Sequence, residues 1–233
     1  RKGAYGDKFI ISMIIFVILL VMIFIVYPIG KLFVSGFIDD QNNYSLLIFL
    51  EKFTDKRIWS VACFINAGRC GVAINSLVMA IIVGALTTIL GLIFALLVTR
   101  TSLKFRRIIR AMSVLPIITP PFVIGLAIIL LFGLSGIVTT FVADILGVQP
   151  TRWVYGLPGI IIAQTLAYTP IAFLVLIGVV ESVSPSLEEA GQTLRANPYQ
   201  VFNTISLPLM RPGIANAFLL GFIESMVDFG NPL

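Results

Sequence analysis

The chain has 233 residues, 58% of them hydrophobic and only 12% charged, with no histidine and a formal net charge of +5. Soluble domains of this size carry about twice that share of charge, so a soluble fold is excluded. The absence of histidine removes an HExxH zinc site and a Ser-His triad.

No charge occurs between Lys8 and Lys31, Arg69 and Arg100, Arg110 and Asp144, or Arg152 and Glu181. Each run exceeds the ~20 residues that cross a bilayer. The expected class is therefore all-α and polytopic, with about five spans. The chain starts at Arg1 without a methionine and stops at Leu233 in or just past an apolar segment. We expect it to be a piece of a longer chain.

Taken in order, Phe9 to about Tyr27 is the first span, loosened or broken at Pro28 and Gly30. Its apolar run is too long for a signal peptide, and no small-residue cleavage site follows. Asp39 to about Gly71 is a polar loop holding the only two cysteines, Cys63 and Cys70. In an oxidising compartment they pair; the alternative is two free thiols at a membrane edge. Residues 1–71 thus form a first unit of one helix and a loop, and 72–233 the remaining helices.

Val72 to Thr99 is the second span. Arg100, Lys104, Arg106, Arg107 and Arg110 follow, the densest basic cluster of the chain, read as a topogenic signal rather than a nucleic-acid or lipid site. Ala111 to Phe132 is the third span, interrupted by Pro116 and Pro120-Pro121, whose freed carbonyls need partners from neighbouring helices or water. Gly133 to Gly136 turns the chain into a short interfacial helix, Val138 to Leu146. Trp153 and Tyr155 suit the headgroup level. The fourth span, Leu157 to Val183, carries a polar stripe of Gln164, Thr165, Tyr168 and Thr169, which suits bonding between helices or the lining of a path.

Ser184 to Gly213 is the one long polar stretch with strong helix signals. Ser184-Pro185 is a helix start, and Ser186 with Glu189 is an alternative capping box. This helix should stop near Asn197-Pro198. Asn197 then caps a second short helix that ends before Pro208. The result is a helical elbow between two spans. The fifth span begins near Ile214 and carries Glu224 and Asp228, four residues apart and so on one face. Counted from Pro212, Glu224 lies roughly 18 Å in, near mid-bilayer. Two inward carboxylates there would suit a cationic substrate, and hard Fe(III) prefers oxygen ligands. A tilted or short helix would instead carry both acids to the outer interface.

The first tail, the Arg100–Arg110 loop and the elbow alternate onto one side and hold 10 of the 16 basic residues. The positive-inside rule makes that side cytoplasmic, N-terminus included, and puts the cysteine loop outside.

The elbow resembles the cytoplasmic coupling loop of binding-protein-dependent ABC importer permeases of type I. That pattern is Glu-Ala-Ala, three residues, Gly, nine residues, Ile, one residue, Leu-Pro. Glu189-Ala190-Gly191, Ile205, Leu207 and Pro208 fall in register, with Gly191 in place of the second Ala and Arg195 in place of the Gly. The Gly/Arg version is that of the ferric-iron branch. LPIITPPFVIGLAIILLFG at 115–133, PTRWVYGLPG at 150–159, TPIAFLVLIGVVE at 169–181, FIESMVDFGNPL at 222–233 and the cysteine pair also resemble that branch.

The resemblance implies a type I permease fold lacking its sixth span, the second permease half being fused or separate. It implies a bacterial inner-membrane protein that hydrolyses nothing itself and binds no cofactor, with ATP and Mg on separate ABC ATPase subunits. An extracytoplasmic substrate-binding protein would deliver the cargo; membrane lipid is the other partner, and nucleic acid is not one. Glu188, Glu189, Ala190, Gly191, Leu194 and Arg195, with Ile205, Leu207 and Pro208, would form the ATPase-coupling surface. Glu224 and Asp228 are candidates for the translocation path. Aminoethylphosphonate permeases look similar, so that substrate stays open. An ion-coupled carrier, which would need an internal repeat, and a non-transporting scaffold are the more distant alternatives.

Overall fold

A computed structural model describes residues 4–38, 45–65, 70–101 and 106–228. Every regular element among them is helical. Among the described residues, five segments are long and apolar enough to cross a membrane: Lys8–Ser35, Val72–Arg100, Pro121–Leu146, Leu157–Ser182 and Pro198–Val227. The chain divides into two units, Arg1–Ile74 and Asn75–Leu233.

In the first unit, α1 (Ala4–Val21) and α2 (Tyr27–Ser35) form one continuous helix through a π-helical turn at Met22–Val26. Of the two expectations at Pro28, a break or a loosening, the helix shows a loosening. A proline clashes with the carbonyl four residues back. Here the turn before it is widened, the Tyr27 N–H bonding Met22 O, five residues back, so the chain runs on as helix to Ser35. Apolar side chains from Phe9 to Val34 are exposed along this helix, a surface suited to lipid.

The segment read as a polar loop contains three short helices: α3 (Leu46–Phe53), α4 (Lys56–Trp59) and α5 (Ala62–Ile65). Asp55 caps α4 by accepting from the Arg57 N–H at 2.9 Å. Phe37 stacks on Phe49, Phe49 on Phe53, and Phe53 meets Trp59 edge-on. Trp59 Nε1 donates to Phe53 O at 2.6 Å. Cys63 and Cys70 form a disulfide across a Cα–Cα distance of 4.9 Å. Asp39, Asp40 and Arg69 of this segment lie outside the described residues.

In the second unit, α6 (Val72–Arg100) is followed by α7 (Arg106–Val114), a 3-10 turn at Leu115–Ile118, α8 (Pro121–Phe132), α9 (Ile137–Leu146) and α10 (Leu157–Ser182). The expected third span from Ala111 is therefore three pieces. Most of the basic cluster belongs to a helix rather than a loop; Lys104 is outside the described residues. Pro116 and Pro120-Pro121 set the breaks, Pro121 opening α8 where its missing N–H costs nothing. The remaining elements are α11 (Pro185–Thr193), α12 (Pro198–Val201), a π-helical turn at Phe202–Ser206 and α13 (Leu207–Val227).

α10 is the centre of this unit. It packs on α7, α8 and α13, with Phe173 and Leu176 fully buried. In lipid, burying apolar surface gains little, so helices associate through close packing and polar bonds. Gly91 of α6 supplies the packing: a Cβ there would stand 2.9 Å from Phe173 N and 3.0 Å from the Ala172 carbonyl carbon. Backbone therefore touches backbone where α6 crosses α10. Gly221 of α13 makes room for the Thr87 side chain of α6: a Cβ there would stand 2.5 Å from Thr87 Oγ1. Ala95, Val98, Ile177, Val180, Met210 and Ala217 continue this core to the elbow.

Candidate functional site

The elbow is built by its caps. Ser184 is the N-cap of α11 with Pro185 at the first helical position, as the first of the two sequence readings has it. Its hydroxyl bonds Ser186 Oγ rather than a helix N–H. α11 ends earlier than expected, at Thr193, because the chain reverses at Arg195 with φ +62°. Ala196 N–H bonds Gly191 O at 3.2 Å and Arg195 N–H bonds Gln192 O at 2.9 Å. These two bonds are the Schellman closure, whose left-handed position favours glycine. That is where the coupling-loop pattern has its glycine, and here an arginine occupies it. Asn197 then caps α12 reciprocally: Gln200 N–H donates to Asn197 Oδ1 at 2.8 Å and Asn197 N–H to Gln200 Oε1 at 3.0 Å.

The left-handed conformation costs a residue with a Cβ roughly 1–2 kcal/mol, partly offset by glycine's larger unfolded-state entropy. Arg195→Gly is therefore expected to raise the melting temperature of the purified chain by one or two degrees. Arg195→Ala, which removes the same charge but keeps a Cβ, should not; an equal rise in both would trace the effect to charge instead.

α12 does not stop before Pro208. The Leu207 N–H bonds Phe202 O, five residues back, the same widened turn that precedes Pro28. The elbow's second helix and the fifth span are thus one continuous helix, Pro198–Val227. α11 folds back on it, and Gly191 is buried against Val201 and Ile205: a Cβ at 191 would come within 3.1 Å of both side chains.

The residues expected on one coupling surface separate into two sets. Glu189, Ala190, Leu194 and Arg195 are exposed, Leu194 at 83%. Gly191 and Ile205 instead join α11 to the helix beneath it, while Leu207 and Pro208 are half-buried where that helix continues.

Glu188 is turned inward, a correction to the sequence reading. Its Oε1 pairs with Arg100 Nη2 at 3.1 Å and accepts from Ser206 Oγ at 2.8 Å. The same Arg100 nitrogen reaches Val180 O at 3.3 Å and Val183 O at 3.0 Å. One guanidinium therefore closes the C-terminal carbonyls of α10, where positive charge is favoured, and holds the elbow to the end of α6. The side chains of Arg100 and Glu188 are 26% and 20% exposed, so the pair is largely withdrawn from solvent. A cavity of about 300 Å³ opens beside it, lined by Leu96, Phe202 and Met210 among others. Arg100 and Ser206 were not among the sequence candidates. The only signal was Arg100 closing a long apolar run, and topology alone accounts for that.

At the other end of α13, Ser225 Oγ donates to Gln164 Oε1 at 2.7 Å, and Gln164 Nε2 donates to Asp228 Oδ2 at 2.9 Å. Gln164 is fully buried and Ser225 nearly so. Thus Gln164 of the polar stripe bonds between helices, Thr169 bonds back to Thr165 O, and the buried Thr165 Oγ1 has no hydrogen-bond partner among the described residues. Glu224 is half-buried, one turn before the end of α13, and Asp228 is the C-cap. Counted from Leu207, Glu224 stands about 25 Å along the helix, toward the end remote from the elbow rather than at its middle. Among the described residues no three His, Cys, Asp or Glu side chains converge.

Residues 87–230 match the family described as "Binding-protein-dependent transport system inner membrane component". The chain belongs to that family. That family and the five apolar helices make it multi-pass and part of the inner-membrane component of a transport system. Across its whole length it is 45% identical to the "Putative ferric transport system permease protein FbpB 1" of Haemophilus influenzae, covering 35% of that protein. It is 44% identical to the "Ferric transport system permease protein FbpB" of Actinobacillus pleuropneumoniae, covering 32%. The chain thus spans about a third of the length of these curated relatives. In fold it resembles the crystal structure of a bacterial ABC transporter involved in the import of alginate, with a TM-score of 0.65 at 17% identity, covering 95% of this chain and 74% of that one.

Proposed function

We propose that this chain is part of the permease of an ATP-driven importer of ferric iron. The observation that carries the substrate is the 45% identity to a ferric permease over the full chain. The coupling role is supported by the elbow, which presents Glu189, Ala190, Leu194 and Arg195 outward on a frame locked from within. ABC ATPase subunits, where ATP and Mg bind, dock on that face. A substrate-binding protein delivers iron on the opposite side, and a second permease half, fused or separate, completes the path. The elbow and the N-terminus are cytoplasmic, and Cys63 and Cys70 lie outside. ATP-driven approach of two such elbows turns the path outward; hydrolysis turns it inward. Glu224 and Asp228 contribute oxygen ligands to the passing cation, Asp228 from a position fixed by Gln164.

The test is uptake of radioactive iron into proteoliposomes holding the full-length parent chain, its ATPase and its binding protein, with aminoethylphosphonate as competitor. Uptake that needs ATP and ignores the competitor is expected. No iron uptake together with phosphonate-stimulated ATP hydrolysis would keep the permease and discard iron.

A further inference from the structure

α7 carries three guanidiniums without a carboxylate. Arg106, Arg107 and Arg110 are exposed, and among the described residues none of them makes an ion pair. Arg106 and Arg110 are four apart, so they share a helix face and repel. All three, with Arg100 and Glu181, line one cavity of about 450 Å³. Arg100 is already held by Glu188 and the α10 carbonyls, and Glu181 makes no ion pair among the described residues. The concavity therefore keeps an excess of positive charge.

Its depth and its other flank narrow the ligand. Val98, Thr99 and Arg100 line it where the apolar run of α6 ends, and Glu181 where α10 ends. That is the level at which lipid phosphates lie. On the adjoining flank of α7, Ile109 and Ser113 line a second cavity, about 500 Å³ and almost wholly apolar, with Leu90, Phe94, Pro116 and Leu166. A short helix with one basic and one apolar flank suits the membrane interface. The positive-inside rule needs only charge within a short segment; it does not need three guanidiniums facing one concavity beside an apolar cleft.

We propose that α7 holds an anionic phospholipid. Arg106, Arg107 and Arg110 bond the headgroup phosphate, and an acyl chain lies in the cleft formed by Leu90, Phe94, Ile109 and Leu166. The proposed orientation decides only which leaflet supplies the lipid.

The experiment places the full-length chain in nanodiscs of phosphatidylcholine alone or doped with phosphatidylglycerol, and reads retained lipid by native mass spectrometry. Wild type should retain phosphatidylglycerol. Arg106→Gln/Arg107→Gln/Arg110→Gln should bind it about a hundredfold more weakly, about fivefold per arginine, and Arg107→Gln alone should show a single such step. The triple Lys variant keeps charge and insertion and should keep most of the binding. Unchanged retention in both Gln variants would overturn the proposal, and so would displacement by millimolar inorganic phosphate, which would make this a site for a small ion. The orientation is checked separately. An Arg107→Cys chain labelled by an impermeant maleimide in intact cells would reverse the topology without altering the lipid measurement.

Discussion

Arg100→Ala is expected to lower uptake at least tenfold while the ATPase keeps turning over, and to cost about 2 kcal/mol of stability, or roughly 5 °C in melting temperature. The variant removes the Glu188 pair and the bonds to Val180 O and Val183 O together. It leaves a largely withdrawn carboxylate without its cation, and that penalty exceeds the worth of an exposed pair. Glu188→Gln should cost less than half as much, because the amide still accepts from Ser206 and Arg100 still closes α10. The exchange Arg100→Glu/Glu188→Arg restores opposite charges but cannot restore the carbonyl bonds, since a carboxylate donates nothing. It should therefore recover part of the stability and little of the coupling. Full recovery of uptake in the exchange variant would show that only the charge pair matters. Uptake and melting unchanged in Arg100→Ala would remove the strut from the mechanism.

Glu189→Lys should abolish uptake by a different route, at least tenfold and with melting unchanged within a degree. Glu189 is exposed and makes no ion pair among the described residues, and surface substitutions of that kind stay within about 0.5 kcal/mol. What reverses is the charge on the proposed docking face. The protein should insert and purify normally, with ATP hydrolysis no longer matched by transport. Normal uptake would take Glu189 off the docking face. The neighbouring carboxylates 188 and 189 thus have separate roles: breaking the Glu188 pair through Arg100→Ala loses stability and coupling together, Glu189→Lys coupling alone.

Much of the architecture was legible because it rests on local signals. Charge-free runs located the spans, and Asn197-Pro198 marked the start of α12. Two of the misreadings share one physical origin. A break was allowed at Pro28 and an end set before Pro208 because a proline removes a bond and crowds the carbonyl four residues back. Both helices instead widen by one residue and continue. Proline rules applied residue by residue hold no term for that adjustment. Glu188 was misplaced for a related reason. A helix of nine residues has several faces, and which one turns inward is decided by Arg100 and Ser206, remote in sequence. Gln164 was visible as part of a polar stripe, but its partners Ser225 and Asp228 became definite only with the packing of α10 on α13.

Because Pro198 to Val227 is a single helix, the elbow and the acidic end share one rod of about 45 Å. A tilt of five degrees about one end would displace the other by roughly 4 Å over that length, comparable to the difference between an open and a shut constriction. Under the proposed coupling role this rod would be a lever: Arg100 and Glu188 clamp it near its short arm, and Gln164 restrains the tip of its long arm. The π-helical turn at Phe202–Ser206 interrupts its regular hydrogen bonding. The stiffness of those five residues would then set how much of a push on the elbow is delivered to Glu224 and how much is absorbed as bending.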